Sequence, residues 1–129
     1  MELEIFFEDK LKVNAKIGDQ IVRTDQPVRG GGDGSAPAPF DLFLASIGTC
    51  AGIYVKGFCM QRGIPTDKIK IIQQHNFNPV TRLIDKIDLQ IVLPDDFPEK
   101  YKTAVIKSAD QCAVKKHMLN PPQFSISTT

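Results

Sequence analysis

At 129 residues, with sixteen Lys and Arg against fifteen Asp and Glu, the chain carries a formal net charge of +1. That length suits a single domain over residues 1–129, able to bury roughly two-thirds of the surface of its unfolded form, and so small a net charge gives no field that would draw nucleic acid or an anionic membrane. Three cysteines are too few for a disulfide scaffold, and the start Met1-Glu2-Leu3-Glu4 lacks the basic and apolar run of a secretory signal, so free thiols in the cytoplasm are the expectation.

Leu3 to Phe7 reads as a first strand. From Leu11 to Ile17 the apolar Leu11, Val13, Ala15 and Ile17 alternate with Lys12, Asn14 and Lys16, the period of a strand with one buried face. Gly18-Asp19 supplies its turn, and Ile21 to Arg23 completes a three-stranded meander. Thr24 to Pro39 holds three Pro and four Gly and cannot continue a sheet. Its run Gly30-Gly31-Gly32-Asp33-Gly34-Ser35 lacks the Lys-Ser/Thr ending of a phosphate loop and the dinucleotide spacing, so it reads as a flexible connection.

Pro39 suits a first helical turn and Gly63-Ile64-Pro65 supplies a stop, which predicts one long helix between them. No charged residue falls from Leu42 to Val55, which predicts burial on nearly all sides. A membrane span would need about 20 apolar residues, and Asp41 and Lys56 bracket only fourteen. Gly48 and Gly52, four apart on one face, invite a close backbone approach, and a crossing helix is the expected neighbour. Lys68 to Phe77 and Leu83 to Leu93 then read as strands joined at Asn78-Pro79. Pro98 opens a helical segment with Tyr101, Val105 and Ala109 on helical spacing, closed by Asn120-Pro121-Pro122. Gln123 to Ser127 is a last short strand. The order βββ-α-ββ-α-β makes a mixed α+β domain.

Chemistry rests on the thiols. Cys50 sits in Gly48-Thr49-Cys50-Ala51-Gly52 on the apolar helix, where a buried cysteine can be simple packing. Cys59, nine positions on, is half a turn out of phase at 100° per residue, points away from Cys50, and reads as core. Cys112 lies in a basic run, with Lys100, Lys102, Lys107, Lys115 and Lys116 against one acid, Asp110. Cationic surroundings favour thiolate, the nucleophilic form, although the same lysines also fit the solvated face of a helix. Cys50, Cys59, Cys112, His75 and His117 show no CxxC or HxxxH spacing, so no metal site is expected.

The segment from Ser35 to Cys50, with Pro39-Phe40-Asp41-Leu42 at its helix start, resembles the OsmC/Ohr family, whose central helix opens on a Pro-x-Glu-Leu-like sequence and carries a cysteine at this spacing. Cys112-Ala113-Val114 is similar to that family's later Cys-Pro-Val, and the element order is similar over essentially the full chain. The resemblance implies an OsmC-like fold in an intertwined homodimer with the long helices buried at its centre. It also implies a two-cysteine reduction of organic hydroperoxides. Cys50 would be the peroxidatic thiolate, Cys112 the resolving thiol, and a thiol reductant would restore both without metal or organic cofactor.

Active members carry a glutamate ten residues before the first cysteine, which helps hold an activating arginine. Phe40 occupies that place, with Asp41 beside it, and the N-terminal strand region offers Lys10, Lys12 and Lys16 before Arg23. Asp41 and Arg23 are therefore the auxiliary candidates, and the departures point to the divergent OsmC-like branch. Two other readings use the same cysteines: a non-catalytic dimer that binds a small apolar ligand, and a redox sensor without turnover.

Overall fold

The computed structural model describes residues 1–129. The chain forms two compact units, Met1–Ala45 and Ser46–Thr129. In the first, β1 (Glu4–Phe7), β2 (Val13–Ile17) and β3 (Gln20–Val22) form an antiparallel sheet in the order β1-β2-β3. Glu4 faces Lys16, and Ile17 faces Gln20 across the Gly18-Asp19 turn, whose glycine takes φ 57°. The alternating pattern and the turn residue thus give the predicted meander.

The glycine-rich segment after β3 is not a mere flexible connection. Asp25 is 0% exposed and its carboxylate accepts from the backbone N–H groups of Gln26 (2.7 Å), Asp33 (3.3 Å) and Ser35 (3.0 Å) and from the Ser35 hydroxyl (2.6 Å). Burying a carboxylate is tolerable only with such donors, so the loop is wound around it. A Cβ on Gly32 would come within 2.1 Å of the Gln26 carbonyl oxygen and 2.6 Å of Asp25 Oδ1, so glycine is what lets the backbone pass.

Helix α1 runs Pro39–Met60, opening on the proline as expected. Only Ile47, Ala51, Val55 and Cys59 along it are buried, one stripe at i, i+4 spacing. Burial on nearly all sides is therefore corrected: Ile53 is 70% exposed, and Phe40, Phe43 and Met60 also reach solvent, because one chain covers a single face. By length and composition α1 is also apolar enough to cross a bilayer, with a mean hydropathy of 1.5 over an 18-residue window, a test that the core helix of a soluble fold passes too.

In the second unit β4 (Lys70–Asn78) and β5 (Leu83–Val92) pair antiparallel from Lys70↔Val92 to Asn78↔Leu83. The register shifts between Asn76 and Phe77, leaving Asp85 as the extra residue of a bulge. Its carboxylate is held by the side-chain amides of Asn76 (2.7 Å) and Asn78 (3.2 Å). Strand β4, not a helix, crosses the glycine face of α1: a Cβ on Gly48 would lie 2.6 Å from Gln73 Oε1, and one on Gly52 would lie 3.8 Å from Ile71 Cδ1. Val55, Cys59, Phe97 and Val105 make the buried core, with Ile69, Ile71 and Ile91 packed against it. Full burial of one such side chain stabilises by roughly 1.5–3 kcal/mol.

The C-terminal helical segment is broken in two, α2 (Lys102–Ala109) and α3 (Ala113–Leu119), because Cys112 adopts φ −50°, ψ 122° and leaves the helical region. The last predicted strand, Gln123–Ser127, does not form. No strand pairs with it, and Phe124 and Ile126 stay exposed, so its alternation has neither a ladder nor a surface to bury against. The observed order is βββ-α-ββ-αα.

Candidate functional site

Cys50 lies three residues beyond Ile47, on the same side of α1 by helical spacing. The α2–α3 break delivers Cys112 to that turn: its Sγ lies 3.9 Å from the Ile47 carbonyl oxygen, which accepts from the thiol. Cys112 is also the N-cap of α3. Its sulfur accepts from the Lys115 N–H at 3.4 Å and its carbonyl from the Lys116 N–H at 3.1 Å. A helix start leaves its first N–H groups without intrahelical partners, and those of Val114 and Ala113 favour the anionic form of Cys50. The Cys112 side chain also lowers the Cys50 thiol, and both cysteines are free.

This arrangement sets the electrostatics. The Cys50 thiol is lowered from its ordinary value, first by the Val114 N–H and the Cys112 thiol, with burial opposing and the Ala113 N–H adding to the fall. None of the lysines in the basic run is among these groups. Lys115 is paired with Asp110, and Lys102 with Glu99 at 2.8 Å. Hydrogen-bond donors, not cationic charge, favour the thiolate here. Accessibility separates the thiols: Cys50 is half-buried and Cys112 only 2% exposed. Cys59 is wholly buried in the core, as its phase on the helix predicts, and burial pushes its thiol up against the opposing charges of Arg62 and Lys56.

Cys112 also lines a cavity of about 780 Å³. Ile47, Ala51, Ile71, Ile87, Ile91 and Ile106 give it apolar walls, with Lys107, Asp110 and Lys115 as polar elements on the helical side. Its size and character suit a small organic molecule. His75 Nε2 lies 2.7 Å from Gln73 Nε2, and His117 Nδ1 donates to the Ala113 carbonyl at 2.7 Å. No three potential metal ligands gather anywhere in the chain.

The two auxiliary candidates belong to the Met1–Ala45 unit. Arg23 is exposed and paired with Glu8 at 3.2 Å. Asp41 is exposed in the first turn of α1. Sequence reasoning missed the two backbone donors to Cys50, since a main-chain N–H has no residue signature. The one signal was Ala113 in a place where the resembling motif has proline, which carries no N–H.

The model of the family described as OsmC-like protein matches residues 32–127. The fold is similar to that of a protein from Psychrobacter arcticus 273-4 described as a candidate osmotic stress induced and detoxification response protein, with 19% identity, a TM-score of 0.73, and coverage of 88% of this chain and 85% of that one. It is similar too to the organic hydroperoxide resistance protein OsmC of Legionella pneumophila (16% identity, TM-score 0.55, 91% and 87% covered). A third is the organic hydroperoxide resistance protein OhrB of Bacillus subtilis (15%, 0.51, 90% and 88%). No curated protein sequence matches. With a family model matched over most of its length and this mixed α+β fold, the chain belongs to the OsmC-like protein family.

Proposed function

We propose that the chain is a thiol-dependent peroxidase for organic hydroperoxides, with Cys50 peroxidatic and Cys112 resolving. The carrying observation is that the break between α2 and α3 brings Cys112, through its bond to the Ile47 carbonyl, to the turn of α1 that carries Cys50, whose thiol is lowered from its ordinary value. The Cys50 thiolate attacks the terminal oxygen of R–O–OH. The O–O bond breaks, the alkoxide leaves and is protonated to the alcohol, and Cys50 becomes a sulfenic acid. The Cys112 sulfur then attacks the Cys50 sulfur, forming the disulfide while hydroxide leaves with the thiol proton as water. A dithiol reductant supplies two electrons and two protons to restore both thiols.

The apolar cavity walled partly by Cys112 supports an organic rather than a purely polar substrate. Names of structural relatives as organic hydroperoxide resistance proteins support a role in peroxide stress. The uncovered apolar face of α1, with Ile53 exposed, supports an intertwined homodimer that covers it, and membership of the OsmC-like family supports a soluble cytoplasmic protein. Arg23 and Asp41 are the auxiliary groups the family resemblance points to, and neither metal nor organic cofactor enters the cycle. In a cumene hydroperoxide assay with dithiothreitol, the native chain consumes peroxide and Cys50→Ser does not. Equal rates for the two would eliminate the enzyme reading and leave the ligand-binding dimer and the redox sensor without turnover.

A further inference from the structure

Every residue that lines the cavity of about 780 Å³ belongs to the Ser46–Thr129 unit. Its volume falls in the range of about 300–1,000 Å³ in which small-molecule sites are found. The walls are aliphatic on all sides: Ile47 and Ala51 come from α1, Ile71 from β4, Ile87 and Ile91 from β5, and Ile106 from α2. No aromatic ring lines it. Flat ring systems are commonly gripped by stacking on such rings, whereas branched aliphatic walls hold an alkyl chain through many small dispersion contacts.

The charged groups at this cavity are not equivalent. Of its two acids, Asp85 is held by the Asn76 and Asn78 amides at 2.7 and 3.2 Å, and Asp110 is paired with Lys115. Of its three lysines, Lys86 is paired with Asp88 at 3.0 Å and Lys115 with Asp110. That leaves Lys107, exposed in the last turn of α2, as a cation with no carboxylate partner. An apolar chamber with one uncompensated ammonium group on its helical side is complementary to a chain that ends in an anion.

We propose that this cavity binds an aliphatic carboxylate, whose alkyl chain lies among the isoleucines and whose head group meets Lys107. The inference goes beyond the peroxidase reading: the ligand carries no peroxide, and binding it needs neither thiol to react. Cys112 is the one cysteine in the wall, and Cys50 does not line the cavity. A bound chain therefore shields Cys112 from reagents and leaves Cys50 as it was.

Decanoate below its micelle concentration, titrated into the native chain by calorimetry, should bind, and decyltrimethylammonium, with the same chain length and the opposite charge, should bind more weakly. Lys107 is exposed and unpaired, so Lys107→Glu costs the fold little. It should weaken decanoate about tenfold and strengthen the cationic probe. The place of binding is read from isoleucine methyl NMR signals, which should shift at Ile47, Ile87 and Ile91 while that of Ile53, exposed on α1, stays put. With decanoate at about ten times its Kd, alkylation of Cys112 by iodoacetamide, followed by peptide mass spectrometry, should slow about tenfold against Cys50 as internal reference. Absence of binding, as when a second copy fills the cavity, would overturn the proposal. So would equal affinity for the two probes, shifts at Ile53 without the cavity isoleucines, or equal slowing of both cysteines or of neither. None of these readouts involves peroxide: a chain that binds decanoate and consumes no hydroperoxide would sink the peroxidase and leave this inference standing, and a working peroxidase that ignores decanoate would do the reverse.

Discussion

In the Met1–Ala45 unit the Asp25 carboxylate accepts three backbone N–H groups and a serine hydroxyl, whereas in the Ser46–Thr129 unit the Cys50 thiol is lowered chiefly by the Val114 N–H and the Cys112 side chain, with the Ala113 N–H adding to the fall. The physics is the same: main-chain donors left over from a turn or a helix start favour the anion. The consequences differ because the groups start from different places. Asp25 falls from 3.8 to about 2, with the Ser35 hydroxyl as the largest cause, and stays charged at any physiological pH, sealed from solvent. Cys50 starts at 9.0, so a downward shift brings its titration toward neutrality while the sulfur remains reachable. One anion organises a loop and the other is available to react.

Breaking the Asp25 end of the comparison should give the largest effect. Asp25→Ala strips the acceptor from the Gln26, Asp33 and Ser35 N–H groups inside the loop, and the melting temperature should fall by on the order of ten degrees in calorimetry. The pH dependence has a definite sign. The folded value is depressed, so the stability Asp25 contributes is present above 3.8 and lost as pH falls through 3.8 toward about 2. Thermal melts of the native chain should weaken across that window more steeply than those of Asp25→Asn. Parallel curves would mean the carboxylate's charge is not what the loop is built on.

Cys59 sharpens the other end. It shares α1 with Cys50 but is raised by burial instead of lowered by donors. Cys59→Ser puts a hydroxyl into a core of Val55, Phe97 and Val105, at a cost of about 1–3 kcal/mol in urea unfolding. Its Cys50 alkylation profile should match that of the native chain. A shifted profile would show that the two thiols are not independent.

Much of this contrast was legible before any coordinates. Alternation in Leu11–Ile17 and in Leu83–Leu93, with proline and glycine at the breaks, yields the strands and α1 because local pattern decides them. The half-turn offset between Cys50 and Cys59 follows from helix geometry alone. What escaped were features made by distant main chain. The break at Cys112 has no strong breaker, since Asp110-Gln111-Cys112 contains neither Gly nor Pro. The Asp25 cradle is built from N–H groups that every residue but proline has. The final strand failed for the converse reason: Phe124 and Ile126 carry the pattern, but a strand needs a neighbour that pattern cannot supply.

Two glycines give the finest test of the comparison, and Gly48 the smallest expected effect. At Gly32 an added Cβ meets the backbone carbonyl of Gln26 at 2.1 Å and the Asp25 carboxylate at 2.6 Å, so Gly32→Ala must deform the loop. At Gly48 the close neighbour is Gln73 Oε1 at 2.6 Å, the end of a flexible side chain that can swing aside at the expense of its contact with His75. Alanine in a helix interior gains roughly 0.5–1 kcal/mol over glycine, which offsets that displacement. Gly48→Ala should therefore unfold within about 1 kcal/mol of the native chain, while Gly32→Ala melts well below it. A large loss at Gly48 would mean that β4 is held against α1 too rigidly for Gln73 to yield, and that the turn of α1 bearing Cys50 is as tightly determined as the loop around Asp25.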